Sequence, residues 1–151
     1  MVMSNLDPVI EAKFPNLAHE GYELTSPIDP AYNCIAWAAT VNNRWWWPDP
    51  LRQCYWPSAV PRRCTVEAFI LAYGLSGYVV CESDTYEDGY EKIMIYTDQN
   101  NLPKHAARQI GAGRWTSKLG PYKDITHTRD GLNGVQYGQP KIFMKRKMAS
   151  I

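Results

Sequence analysis

An α+β fold is predicted, with helices in the first half of the chain and an antiparallel meander in the second. Three observations predict it. Apolar residues recur at helical spacing up to about residue 73, runs of strand composition start at about residue 78, and short Gly- and Asn-rich turns separate those runs. One domain is expected over residues 1–151, with its core at about 14–144, because 151 residues suit a single core and contain neither repeat nor linker.

Asp7 followed by Pro8 predicts a capped helix running through Val9 to Lys13, since the carboxylate accepts from orphan N–H groups and proline presets φ. Phe14-Pro15-Asn16-Leu17 is expected to end it, leaving His19 in a polar loop at the surface. From Tyr32 to Val41 the positions Ile35, Ala36, Ala39 and Thr40 follow a helical period with Asn33 as cap, which puts Cys34 in the first turn. The next segment, NNRWWWPDPLRQCYWPSAVPRR, is dense in proline and is predicted to be irregular. Thr65 caps a helix over Val66 to Tyr73, Glu67 suits its positive first turn, and Gly74 and Gly77 stop it. Strands are then expected at 78–81, 92–96, 104–110, 114–117 and 140–144, with His127 at the end of a further short one and a fraying KRK tail after the last.

Composition narrows the function. Sixteen Lys+Arg against fifteen Asp+Glu give a net charge of +1, which argues against an electrostatically driven nucleic-acid binder. The longest apolar runs fall far below the roughly 20 residues a bilayer demands, and the amino terminus lacks the basic start and apolar run of a secretory leader, so a cytoplasmic protein, not a membrane one, is expected. Cys34, Cys54, Cys64 and Cys81 form no C-x-x-C pair and have no adjacent histidine, which argues against zinc and against a disulfide framework. Without a carboxylate cluster or a Gly-rich phosphate loop, neither a metal nor a cofactor is expected.

A thiol attacks only as thiolate, and a helix amino terminus plus a neighbouring imidazole is the arrangement that activates it. Cys34 stands at the first and His105, at the start of a predicted strand, can supply the second. The run Trp45-Trp46-Trp47-Pro48 is the sharpest compositional anomaly among six Trp, ten Tyr and three Phe. Three successive indoles cannot share one face of a helix or strand, so either they wall a substrate groove near Cys34 or they cover a core.

The strings Tyr32-Asn33-Cys34-Ile35-Ala36-Trp37-Ala38, Lys104-His105-Ala106-Ala107-Arg108-Gln109 and Arg114-Trp115-Thr116-Ser117-Lys118-Leu119-Gly120 resemble those of a group of small bacterial proteins. In these a (Y)NC-x-A-W-A helix precedes a tryptophan-proline segment, an H-A-A strand and a W-x-S-K-x-G strand, and the likeness runs from about Phe14 to Met144. Through the Cys on its helix, the His on its strand and a polar residue on the next strand, the group is similar to the NlpC-like and papain-like cysteine hydrolases. The resemblance implies a papain-like domain in which amino-terminal helices pack on the meander, and a Cys34 thiolate that attacks an amide carbonyl while His105 moves the proton.

The third member is where the pattern departs. NlpC-like enzymes commonly carry His, Asn, Asp or Gln there, whereas this strand offers Thr116, Ser117 and Lys118; our order is Ser117, then Asp124, then His127, with Gln109 also in reach. The glutamine that papain-like enzymes place before the nucleophile is missing, which leaves the Cys34 N–H, with Asn33 or Tyr32, for the oxyanion. Trp37, Trp45, Trp46, Trp47, Trp115 and Lys118 are the candidate substrate contacts. The expected activity is hydrolysis of an amide in a peptide or small molecule. The alternative is an inactive relative, or an accessory or immunity protein, that binds a partner protein through the tryptophan-proline segment.

Overall fold

A computed structural model describes residues 6–149, so residues 1–5 of the stretch read against a leader lie outside the described residues. The elements in chain order are α1 (Pro8–Lys13), α2 (Asn16–Glu20), β1 (Tyr22–Leu24), α3 (Cys34–Ala38), α4 (Val66–Gly74), β2 (Val79–Cys81), β3 (Tyr90–Thr97), β4 (Pro103–Gly111), β5 (Arg114–Lys118), β6 (Asp124–His127) and β7 (Gln139–Lys147). The fold mixes a few short helices with one seven-stranded antiparallel sheet, in the order β1-β6-β5-β4-β3-β7-β2. Strands β3 to β6 form the expected meander. The last strand does not extend it but returns to the free side of β3 and carries β2 on its outer edge.

Three of the four helix starts obey local capping chemistry, α2 after Pro15 being the exception. Asp7 Oδ1 accepts from the N–H groups of Val9 and Ile10 with Pro8 in the first turn, Asn33 Oδ1 accepts from Ala36, and Thr65 Oγ1 accepts from Ala68. Helix α3 is shorter than its pattern predicted. It stops at Ala38, and Thr40 takes a positive φ of 66° immediately afterwards. Helix α2 and strand β1 replace the polar loop expected around His19, and the KRK tail is not frayed. It completes β7, where Lys145 pairs with Glu87 and Arg146 with Glu91.

Alternation along the strands builds a core on each face of the sheet. Ile93 and Ile95 of β3, Ala106 of β4 and Met144 of β7 pack with α3, α4 and the aromatic residues Trp46, Trp56, Phe69 and Tyr73. Met94, Tyr96, Ala107, Trp115 and Ile125 point the other way and pack with Ile10, Phe14 and Leu17 of the two amino-terminal helices. The expectation of helices on the sheet is therefore met on both faces.

The register between β4 and β5 runs from Gly111↔Arg114 to Arg108↔Thr116 and goes no further, although β4 extends back to Pro103 and β5 on to Lys118. At the same end β3 is irregular on both sides, between Tyr96 and Thr97 against β4 and between Ile95 and Tyr96 against β7. The sheet opens where His105, Ala106, Ser117 and Lys118 lie, and bulged or opened ladders re-aim side chains that a regular ladder would hold flat.

Candidate active site

His105 and Ser117 sit on the two strands that part, and their side chains close the gap. His105 Nε2 is 2.9 Å from Ser117 Oγ, which is 2.7 Å from Nε2 of His127 on β6. The chain ends at the backbone: His127 Nδ1 lies 2.7 Å from the carbonyl of Thr128. That carbonyl only accepts, so His127 Nδ1 carries the proton, and in the neutral ring its Nε2 must accept from the Ser117 hydroxyl. Ser117 Oγ in turn accepts from His105 Nε2–H. The direction of the chain leaves a bare lone pair on His105 Nδ1, which is buried and, among the described residues, has no hydrogen-bond partner.

Burial holds both rings neutral. The interior pushes His105 well below its usual range, with the His127 charge adding to the effect, and pushes His127 down to about 4, slightly opposed by its bond to Thr128. His105 is fully covered: Tyr137 stacks on it at 4.0 Å and Tyr96 meets it edge-on at 5.0 Å. Tyr137 belongs to the loop closed by paired bonds between Gly134 and Gly138. A Cβ on Gly138 would lie 1.9 Å from the Thr97 carbonyl, so only glycine lets this loop seat against β3. Tyr137 also lines, with Ile10, Phe14, Leu119 and Tyr122, a cleft of about 260 Å³.

Cys34 approaches from the other face. Its side chain belongs to the α3–α4 core with Ala106, the residue after His105, and its sulfur lies among the N–H groups of Ala106, Ile35 and Cys34 itself. Burial nevertheless pushes the thiol up to about 11, against the pull of those N–H groups and of the Lys118 charge. The activating helix terminus expected from the sequence is therefore weak, because a five-residue helix adds few aligned peptide dipoles. The alternation of β4 starts His105 on the face opposite Ala106, and no hydrogen bond joins His105 to Cys34. What links the two is Tyr137, which stacks on His105 and whose hydroxyl is raised by burial and, further, by charge on Cys34.

The remaining candidates divide. Ser117 and His127 join His105, whereas Asp124 accepts from Thr25 and Tyr32, and Gln109 donates to the Asp84 carbonyl. The side chains proposed for the oxyanion are engaged elsewhere: Asn33 holds both backbone groups of Trp46, and the Tyr32 hydroxyl donates to Asp124. Trp46 and Trp115 are core residues at 6% and 1% exposure, not substrate contacts, because each packs in the middle of one hydrophobic cluster. Trp47 packs on Phe69, the Trp45 indole donates to the Pro30 carbonyl, and Trp37 donates to Thr116 Oγ1 with Arg108 over its ring. Lys118 is buried rather than solvated, and its ammonium donates to the carbonyls of Asp29, Tyr32 and Gly120.

Tyr137 is the site residue that sequence reasoning missed. The signal available was an aromatic residue between two glycines, Gly134 and Gly138, in a segment otherwise without pattern. Among the described residues no group of three or more His, Cys, Asp or Glu could hold a metal ion, and no helix is long and apolar enough to cross a membrane.

No curated protein matches the chain, and no solved structure does. One family model does, that of a domain of unknown function, DUF7689, and it spans residues 23–145, which takes in Cys34, His105, Ser117, Lys118, His127 and Tyr137. The chain belongs to the DUF7689 family.

Proposed function

We propose that the protein is a cysteine hydrolase acting on an amide bond, with a papain-like or NlpC-like disposition of Cys34, His105 and Ser117. One observation carries the reading: a directional chain from Thr128 through His127 and Ser117 leaves His105 Nδ1 as a buried, unpartnered base on the residue beside the Ala106 amide that Cys34 touches. An orphaned lone pair in an interior costs stability, and such costs concentrate where a group is kept for chemistry.

In the proposed reaction the Cys34 proton passes to His105 Nδ1 and the sulfur pair adds to the substrate carbonyl carbon, whose π electrons move to oxygen. The N–H groups of Cys34 and Ala106 are the donors at that position. Collapse expels the amine, which takes the proton from Nδ1, and leaves a thioester. Water, deprotonated by Nδ1, then cleaves the thioester and returns the proton to sulfur. Ser117 and His127 keep Nε2 as the protonated nitrogen throughout.

In the closed arrangement the raised thiol and the lowered imidazole both oppose that first transfer, and Tyr137 covers His105. Chemistry then requires Tyr137 to move aside, which links the site to the cleft behind it. This same closure favours the second reading, an inactive relative that binds a partner.

Acyl transfer from p-nitrophenyl acetate separates the two. The hydrolase reading expects a stoichiometric burst of nitrophenolate with the acetyl group on Cys34, lost in Cys34→Ala and reduced at least 100-fold in His105→Ala. Acetylation spread over Cys54, Cys64 and Cys81, or independent of His105, supports the binding module instead.

A further inference from the structure

Lys118 is completely buried, yet among the described residues it makes no ion pair with a carboxylate. Its three donors are filled by the carbonyls of Asp29, Tyr32 and Gly120 at 2.5, 2.9 and 2.7 Å, and its ammonium lies 4.4 Å from the centre of the Tyr32 ring. Carbonyls and a ring satisfy its hydrogen bonds, and the Asp29 and Asp124 carboxylates favour its charge from nearby without bonding to the ammonium, so burial of the cation is only partly offset. Extending the β4–β5 register from Arg108↔Thr116 sets Lys118 across the parted ladder from Ala106, the residue Cys34 packs against. The Tyr32 carbonyl that Lys118 holds lies two residues before the thiol.

We propose that Lys118 is the positioning residue of this site: its ammonium fixes the Asp29–Tyr32 turn that delivers Cys34 and supplies a positive charge beside which the sulfur becomes negative. The inference rests on the reading of Cys34 as the nucleophile. It gives the site two basic groups with separate tasks, since neutral His105 takes the proton while Lys118 positions the turn and favours negative charge on sulfur. The ionisable groups around the pair are Asp29 and Asp124 near Lys118, and Tyr73 of α4 and Tyr137 near Cys34, with His105 stacked under Tyr137. The Asp124 carboxylate accepts from the Thr25 and Tyr32 hydroxyls and the Asp29 carboxylate from the Ala31 N–H; both act on Lys118 as negative charges, so an anion formed at Cys34 would be a further negative group facing it.

The test is the pH dependence of iodoacetamide labelling at Cys34, followed by peptide mass spectrometry, in the wild type and in Lys118→Met. The midpoint is expected to rise by about one pH unit or more in the variant. A purely structural role for Lys118 predicts the opposite sign, because loosening the packing lets water in and lowers the thiol. An unmoved or lowered midpoint overturns the inference. Should Lys118→Met fail to fold, Cys34→Asp and Cys34→Asn compared at pH 8 give the same information without touching Lys118. A cation facing position 34 makes the Asp variant melt at or above the Asn variant, whereas an Asp variant that is unfolded, or melts well below it, counts against. Neither comparison involves turnover, so the inference can fail while acyl transfer to Cys34 persists, or hold while acyl transfer is absent.

Discussion

The tryptophan-proline segment and the parted end of β4 and β5 both border Cys34, and they use buried polar groups in opposite ways. In the first, polar groups serve an irregular backbone. Arg62 donates to the carbonyls of Trp47, Asp49 and Cys54 and to the Asp49 carboxylate, Asn33 clasps Trp46, and the Trp56 indole donates to Pro61. Trp47 and Trp56 meanwhile pack their rings on Phe69. In the second, side chains bond to one another across three strands, and the sequence of donors and acceptors has a direction.

Among the described residues each region also leaves buried atoms unpartnered, Trp46 Nε1 in the first and, in the second, His105 Nδ1 and the hydroxyl of Tyr96, whose ring meets His105 edge-on. The indole N–H can only donate, so its isolation is a cost with no chemical use. The imidazole lone pair is a base, and it ends a relay. The difference teaches where to look for chemistry in this chain: at the opened ladder, not at the conspicuous run of tryptophans.

Substitutions test this contrast, and the largest effect belongs to the first region. Trp46→Ala is expected to cost about 3–5 kcal/mol in urea unfolding, as large buried aromatics do. If instead stability holds and acyl transfer to Cys34 disappears, the tryptophan run is a substrate wall after all.

The second region should reveal itself in acid. A histidine depressed from an unfolded value of about 6.5 to about 4 when folded stays neutral while the unfolded chain takes up its proton, so stability present above pH 6.5 is lost as pH falls towards 4. For His127 alone this amounts to roughly 3 kcal/mol, and His105, also depressed by burial, acts in the same direction. Melting curves from pH 7 to 4 should show the loss, and His127→Gln, which cannot titrate, should flatten it. An equally steep curve in that variant contradicts the neutral relay.

Ser117→Ala removes the central link and strands Nε2 of both rings. It is expected to cost about 1–3 kcal/mol. It should also slow acyl transfer more than tenfold, because the His105 tautomer is no longer set; a stability loss with unchanged acyl transfer reduces the chain to a structural feature. Trp45→Ala should have the smallest effect, within about 1 kcal/mol, since one bond to the Pro30 carbonyl holds a half-buried ring. A larger loss of acyl transfer than of stability there would return Trp45 to the site.

What was legible in the sequence was local. The caps at Asp7, Asn33 and Thr65 depend on residues three positions away at most, and β3 and β4 announce themselves by composition. Strand β1 is three residues long and is defined by its partner β6, and β7 runs through Lys145 and Arg146 because Glu87 and Glu91 receive their charges. Neither relation has a local signature. Cys34, His105, Ser117 and His127 could be named as chemistry-bearing residues from the chain, but the hydrogen-bond order among the last three depends on which strands adjoin. The burial that raises the Cys34 thiol, and the Tyr137 ring over His105, are products of tertiary packing alone.

The central claim is that His105 acts on Cys34 once the Tyr137 cover is removed. The most direct measurement is the rate of Cys34 alkylation at pH 7.5 in Tyr137→Ala, with and without His105→Ala. The account predicts a rise of at least tenfold over the wild type in the single variant and the loss of most of that rise in the double variant. Equal rates in the two variants would contradict it, because an uncovered thiol indifferent to His105 has no base beside it.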